Sequence, residues 1–340
     1  MSPVQAGLVG CLILIVLLLT SMPVAFAMIA SGVIGFALIV NPQAAFSMVI
    51  AELFETFSSY SLTVIPLFVM MGQVAFHAGI SRRLFHTTHV WIGHLKGGLA
   101  MATVGACAGF GAICGSGPAT AATMASVALP EMKRYGYADS LASGTVAAGG
   151  SLGMLIPPSV VFIVYALMTE QSIGALFLAG IVPGILIAGL FCLSIYIQCS
   201  RHASMGPAGP RHSWKERLKS LNGVVETLIL FLLVMGGMFF GFFTPIEAAA
   251  IGAAGSFLIA LVQKELNIKK MKLIIFETVR TSCMVFFIVA GAVIFGRFLA
   301  VSRIPFEVAE FFVSLPLPGW AVMMLIILFF LLAGCFIDAL

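Results

Sequence analysis

GFGAICGSGPATAAT, residues 109–123, is the stretch whose reading decides the fold. It lies inside an apolar span, residues 97–130, yet Gly115, Ser116, Gly117 and Pro118 stand consecutively in it, and such residues end helices. In water the stretch would be a loop. At membrane depth, irregular backbone survives only where protein buries it or where it lines a cavity, because hydrocarbon offers no partner for a free N–H or C=O. A helix broken in mid-membrane is therefore a binding-site signature.

The rest of the chain agrees with a lipid solvent. Hydrophobic residues make up 61% of the sequence and charged residues 9%, in one apolar run after another. The fold class predicted is an all-α polytopic membrane protein. The run at residues 7–19 lacks the basic leader of a signal peptide and passes straight into a second apolar segment, so it reads as the first transmembrane helix. The seven cysteines lie almost all in apolar segments, none with C-x-x-C spacing, and read as packing residues. The net charge of +4 comes mainly from basic loops and speaks to membrane orientation. Lipid is thus an expected partner and nucleic acid is not.

A crossing helix needs about 20 apolar residues, and residues 6–19, 22–40, 173–198, 224–241, 247–262 and 320–337 qualify. Residues 44–60 set Glu52 and Glu55 opposite Phe46, Val49, Leu53 and Phe57, the pattern of an in-plane amphipathic arm. Residues 61–79, short and carrying Pro66, read as a re-entrant hairpin. The polar segment 81–96 holds Arg82, Arg83, His86, His89, His94 and Lys96 and reads as interfacial; its histidines have no acidic or cysteine neighbour to complete a metal site. A second interrupted span, 138–168, contains Gly149-Gly150-Ser151-Leu152-Gly153 and Pro157-Pro158-Ser159. Two broken spans, 97–131 and 138–168, would bring freed carbonyls and helix ends to one place. The basic, Pro/Gly-rich segment 200–222 marks a boundary between halves.

Those halves repeat. The segment from Pro23 to Ile29 matches that from Pro245 to Ile251 at an offset of 222 residues (245 − 23), and at the same offset Glu55-Thr56 falls on Glu277-Thr278. Residues 61–79 fall on 283–301, 98–100 correspond to 319–321, and Gly115-Ser116 to Gly334-Cys335. Residues 1–199 form the first repeat in this reading (scaffold helices 6–40, arm 44–60, hairpin 61–79, the two broken helices, and helix 173–198). Residues 223–340 form a second, incomplete one. Repeat symmetry then predicts a continuation of roughly 80 to 90 residues beyond Leu340. An odd number of crossings in the first repeat makes the repeats inverted, and the Lys/Arg bias places Met1 outside the cell.

The segments GAICGSGPATAATMASVALPEMKRYGY (111–137), AAGGSLGMLIPPS (147–159), TPIEAAA (244–250) and IPLFVMMG (65–72) resemble the large membrane subunit of tripartite ATP-independent periplasmic (TRAP) transporters, the DctM-like family, along essentially the whole chain. That resemblance implies a sodium-coupled secondary transporter of organic acids such as C4-dicarboxylates or sialic acids. The expected partners are a small four-helix membrane subunit and a periplasmic binding protein, and the expected location is the bacterial inner membrane. It also implies two inverted repeats, each with a re-entrant hairpin and a discontinuous helix, and an elevator movement.

Na+ wants hard oxygen ligands, which freed carbonyls and hydroxyls supply. The candidates are Gly115, Ser116, Gly117 and Pro118 at the first break and Gly149, Gly150, Ser151 and Gly153 at the second; alternatively the glycines only permit close helix packing. A carboxylate substrate would be met at helix N-termini by Ser116, Thr120 and Ser159, although Ser159 equally suits a helix cap. Among charges within apolar segments, Asp338 falls at the second repeat's helix break, and Arg297 either attracts substrate or snorkels to the interface. Glu247 reads better as the partner of Thr244 in a capping box. An intramembrane serine hydrolase would need a base near Ser116, and every histidine lies in the hairpin, the interfacial segment or the linker, so an enzyme is not expected. A passive channel or a structural subunit is the remaining alternative.

Overall fold

The computed structural model describes residues 2–202, 204–314 and 318–334, and among them every regular element is helical. Five helices are long and apolar enough to cross a membrane, or six if the bent pair over residues 139–168 counts as one span. Two compact units emerge, residues 63–281 and residues 1–62 with 282–340. This division does not follow the basic linker, because the linker is bound tightly into the first of these units.

In the unit of residues 63–281, α4 (Val64–His77) and α5 (Ile80–Ile92) join through Gly79, whose φ is +72°. The hairpin therefore spans α4 and α5. Residues 61–79 do not form one by themselves: a 3-10 turn, Tyr60–Thr63, runs directly into α4. Pro66 sits within the first turn, where no intrahelical partner awaits its missing N–H, so it does not bend the helix. Within segment 81–96, α5 turns Leu84, Phe85 and Val90 inward, as it does Ile80 just before it. Its His89 imidazole is held below its usual pKa by burial and by the charges of His212 and His86.

At the centre runs α6 (Gly98–Cys114), nearly every residue of it buried. Around it stand α5, α7 (Gly117–Arg134), α8 (Asp139–Leu155) and α10 (Ile173–Arg201), and α9 (Val160–Met168) follows α8. In lipid, apolar burial gives no drive for helix association, so close contact between small residues must hold such a bundle. Gly111 accordingly meets the backbone of Gly153, and Gly149 meets Cys107.

The linker is laced on by backbone bonds: Gly97 N donates to Gly206 O at 2.9 Å, and Gly209 N to Gly93 O at 2.9 Å. Tyr137 clamps the same corner, accepting from Leu99 N and donating to Pro207 O, both at 3.0 Å. Burial pushes its phenol up to about 12, so it stays a donor at any physiological pH. Then come α11 (Trp214–Ser220), α12 (Asn222–Phe231), a π turn at Leu232–Gly236 and α13 (Gly237–Phe239). The next helix, α14 (Pro245–Val262), begins with the expected box, Thr244 and Glu247 capping each other's backbone amide.

The other unit contains α1 (Pro3–Leu19), α2 (Val24–Ile39), α3 (Pro42–Ser58), the C-terminal part of α15 (Ile268–Ser302), α16 (Ile304–Ser314) and α17 (Gly319–Ala333). Fully buried Phe298 fills the space left by Gly10 and Gly35. Residues 283–301, like 61–79, form no hairpin alone; α15 turns at Arg303, with φ +62°, into α16. The two units also share a pairing. In one, α14 packs on α4; in the other, Gly32 of α2 lies against Ile294 and Phe295 of α15.

Candidate helix-break site

α6 ends because Gly115 takes a left-handed conformation, φ +64°. An L-residue there is strained by about 1–2 kcal/mol. A Cβ at this position would also stand 2.6 Å from Pro158 O. Ser116 follows in extended backbone (φ −132°, ψ 123°), and its hydroxyl accepts from Ala119 N at 3.5 Å to cap α7. At the second break Ser159 has nearly the same conformation (φ −126°, ψ 128°) and caps α9 by accepting from Phe162 N at 3.5 Å. Its own proton goes to Met154 O. The breaks meet directly, for Val160 N, the first amide of α9, donates to Gly115 O at 3.1 Å.

The place where each helix ends decides which carbonyls are free. A helical carbonyl accepts from the amide four residues on, and proline has none. α6 ends at Cys114, so Ala112 O, Ile113 O and Cys114 O lose their intrahelical donors, and at the end of α8 Pro157 and Pro158 withhold theirs from Gly153 O and Met154 O. Ser159 repairs Met154, and Cys114 O and Gly153 O are among the carbonyls left at the C-terminal ends of α6 and α8. By contrast, Ser116 O accepts from Thr120 N at 3.0 Å and from Thr120 Oγ1 at 2.7 Å. Gly115 O is taken by Val160, and Gly117 and Pro118 lie inside α7 with helical partners.

The second break therefore lies at Ile156–Ser159, later than the glycine cluster suggested. Gly149, Gly150 and Ser151 are helical residues of α8, their carbonyls bonded within it. They serve packing: Gly150 lies against Ala121 of α7, and a Cβ there would meet Ala121 Cβ at 2.6 Å. Gly153 is both a packing residue and the owner of a freed carbonyl. The sequence singles out Gly115 to Pro118 at the first break, and the structure adds Cys114, the last residue of α6.

Of the hydroxyls expected near a substrate, Thr120 and Ser159 are fully buried and committed to backbone carbonyls; Ser116 is half-buried. In the other unit Arg297 Nε bonds Glu52 Oε1 at 2.7 Å. This corrects the outward placement of Glu52 on the arm, since its side chain is only 10% exposed beside the guanidinium. Asp338 lies outside the described residues. A cavity of about 300 Å³ adjoins the first break at Cys114 and Ala119, with Gln73, His77, Thr123 and Glu277 among its lining. None of these four was singled out as a site residue, although Gln73 and His77 are polar residues one turn apart in an apolar helix.

An all-α polytopic membrane protein whose two broken helices join end to end has the architecture of a transporter, in which sites are built from helix termini. The chain belongs to the family described as "Tripartite ATP-independent periplasmic transporter, DctM component", which it matches over residues 11–340. It is 38% identical over 302 residues to the C4-dicarboxylate TRAP transporter large permease protein DctM of Pseudomonas aeruginosa, covering 88% of this chain and 70% of that one. The sialic acid TRAP transporter large permease protein SiaM of Vibrio cholerae is 31% identical over 325 residues, covering 95% and 75%. The ectoine/5-hydroxyectoine TRAP transporter large permease protein UehC of Ruegeria pomeroyi is 31% identical over 302 residues, covering 87% and 69%. The chain is thus the large permease of a TRAP substrate transporter, a tripartite system in which it works with a small membrane subunit and a periplasmic binding protein.

Proposed function

We propose that the chain imports an organic acid by sodium-coupled secondary transport across the bacterial inner membrane, with the helix-break site as the place of coupling. The observation that carries this reading is the bond from Val160 N to Gly115 O, which sets the C-terminal ends of α6 and α8 and the N-terminal ends of α7 and α9 around one junction. Helix C-termini carry partial negative charge and N-termini partial positive charge. Cys114 O and Gly153 O, at the ends of α6 and α8, suit Na+, with Gly115, Ser116, Gly117 and Pro118 alongside through remaining lone pairs. Ser116, at the start of α7, suits a substrate carboxylate. The nearby 300 Å³ cavity is not assigned to the acid, because Glu277 in its wall would repel it.

Elevator movement of the unit carrying the breaks is supported by the division into two compact units. An inverted repeat is supported by the matched pairs α4 with α14 and α15 with α2. The relatives are named for C4-dicarboxylates, sialic acid, ectoines and isethionate, so an acidic anionic group, carboxylate in most and sulfonate in isethionate, is the feature from which the substrate class is taken. The test is reconstitution of the full permease with its small subunit and binding protein in liposomes. Uptake of a carboxylate should follow an imposed sodium gradient; uptake indifferent to that gradient overturns the coupling, and uptake needing no binding protein overturns the delivery route.

A further inference from the structure

Between α5 and the segment carrying α11 lies a cavity of about 740 Å³ with Arg82, Arg83, His86, His212, Glu216 and Lys219 in its wall. Its walls are fixed by the fold. Arg82 and His86 are one helical turn apart on α5. α11 is held against that helix by Thr87 Oγ1 donating to Ser220 O at 2.6 Å and Trp91 Nε1 donating to Arg217 O at 3.2 Å.

Charge in the cavity is unbalanced. Glu226 pairs with Arg83 at 2.6 Å from outside the lining. Glu216 is the only carboxylate in the wall, and it faces His212 Nδ1 at 3.3 Å while accepting from Ser213 N at 2.9 Å. Arg82 and Lys219 form no ion pair among the described residues. A buried donor on a lining residue, Arg83 Nε, also has no hydrogen-bond partner. Buried donors left unpaired are costly, and a site with excess positive charge selects anionic oxygen to satisfy them. Planar guanidinium groups beside an ammonium are the side chains that phosphate takes best.

We propose that this cavity binds a phosphate-bearing anion, with Arg82, Arg83 and Lys219 as its principal contacts. The space is far larger than inorganic phosphate, and Trp214 and Leu218 of α11 are exposed beside it, as at a lipid headgroup layer. An anionic phospholipid headgroup and a free phosphate share the required chemistry.

The test uses the purified permease with its small subunit in neutral detergent. Phosphatidylglycerol and phosphatidylcholine are titrated and bound lipid is counted by native mass spectrometry; inorganic phosphate is titrated in a parallel thermal-shift arm. Saturable binding of phosphatidylglycerol but not phosphatidylcholine, or saturable binding of phosphate, is the expected result. The arm that binds identifies the source. The Arg82→Gln/Lys219→Gln variant should lose about tenfold or more in affinity, since each lost contact is a charge-assisted hydrogen bond. Arg82→Lys should restore part of that loss. If the double variant does not fold, Arg82→Gln alone, at an exposed position, gives the same reading. Equal binding of phosphatidylcholine, no binding in either arm, or unchanged affinity in a folded variant overturns the proposal.

Discussion

At the first break a glycine does the turning, since Gly115 reverses the chain in a conformation other residues resist and leaves room for Pro158 O. At the second break nothing is left-handed; Pro157 and Pro158 end α8 by withholding two amides, and Ser159 repairs one of the losses. Both routes finish in an extended serine capping the next half-helix. The backbone shape is common to the two sites, while sensitivity to substitution is not: the first depends on the absence of a side chain and the second on a hydroxyl.

The largest effect should come from Gly115→Ala. Left-handed strain of about 1–2 kcal/mol adds to a Cβ placed 2.6 Å from Pro158 O, so melting temperature should fall sharply and liposome transport should be lost. Wild-type transport in this variant would show that the junction is not the coupling site. Next in size is Gly150→Ala, which would press on Ala121 at 2.6 Å and force α7 from α8. A misfit of this kind costs about 1–3 kcal/mol. Gly144→Ala in the same helix meets nothing within 4 Å. It should be neutral or stabilise by up to about 1 kcal/mol, and a thermal melt of the pair separates packing from a general intolerance of α8.

Ser159→Ala should be more destabilising than Ser116→Ala. It strands Met154 O in a buried site as well as removing a cap, a loss of about 1–3 kcal/mol, against about 1 kcal/mol for the half-buried Ser116 cap. Sodium dependence of transport should rank the other way, with the Ser116 variant needing more sodium for half-maximal uptake. If both assays rank the serines alike, Ser116 is a cap and nothing more. Arg297→Gln should also destabilise the protein, because it leaves the Glu52 carboxylate, only 10% exposed, without its cation. Adding Glu52→Gln should recover the stability. Transport that stays impaired in the double variant would mark Arg297 as a substrate contact, whereas full recovery would mark it as a partner of Glu52 only.

Much of this was legible without coordinates. Gly115-Ser116-Gly117-Pro118 announces a break because glycine, serine and proline each oppose a continuing helix for a separate local reason. The capping box at Thr244 and Glu247 follows from the same short-range rules. The glycines at 149–153 misled for a reason that is also physical: glycine in an apolar segment either ends a helix or lets another helix approach, and only the neighbour tells which. Here Cys107 and Ala121, distant in sequence from these glycines, are those neighbours. Residues 61–79 misled because Pro66 is harmless in a first turn, and one residue's shift in helix start decides whether proline bends or begins it.

The sequence by itself determined the lipid-embedded all-α class, the location of the first break and the caps. These are matters of composition and of interactions within a single turn, where the partner is fixed by chain connectivity. Only the tertiary structure decided that Val160 donates to Gly115, that Glu52 turns inward to Arg297, and that the linker closes a basic cavity against α5. Each of those pairs residues far apart in the chain, and their meeting depends on how whole helices pack, for which an apolar sequence offers many near-equivalent choices.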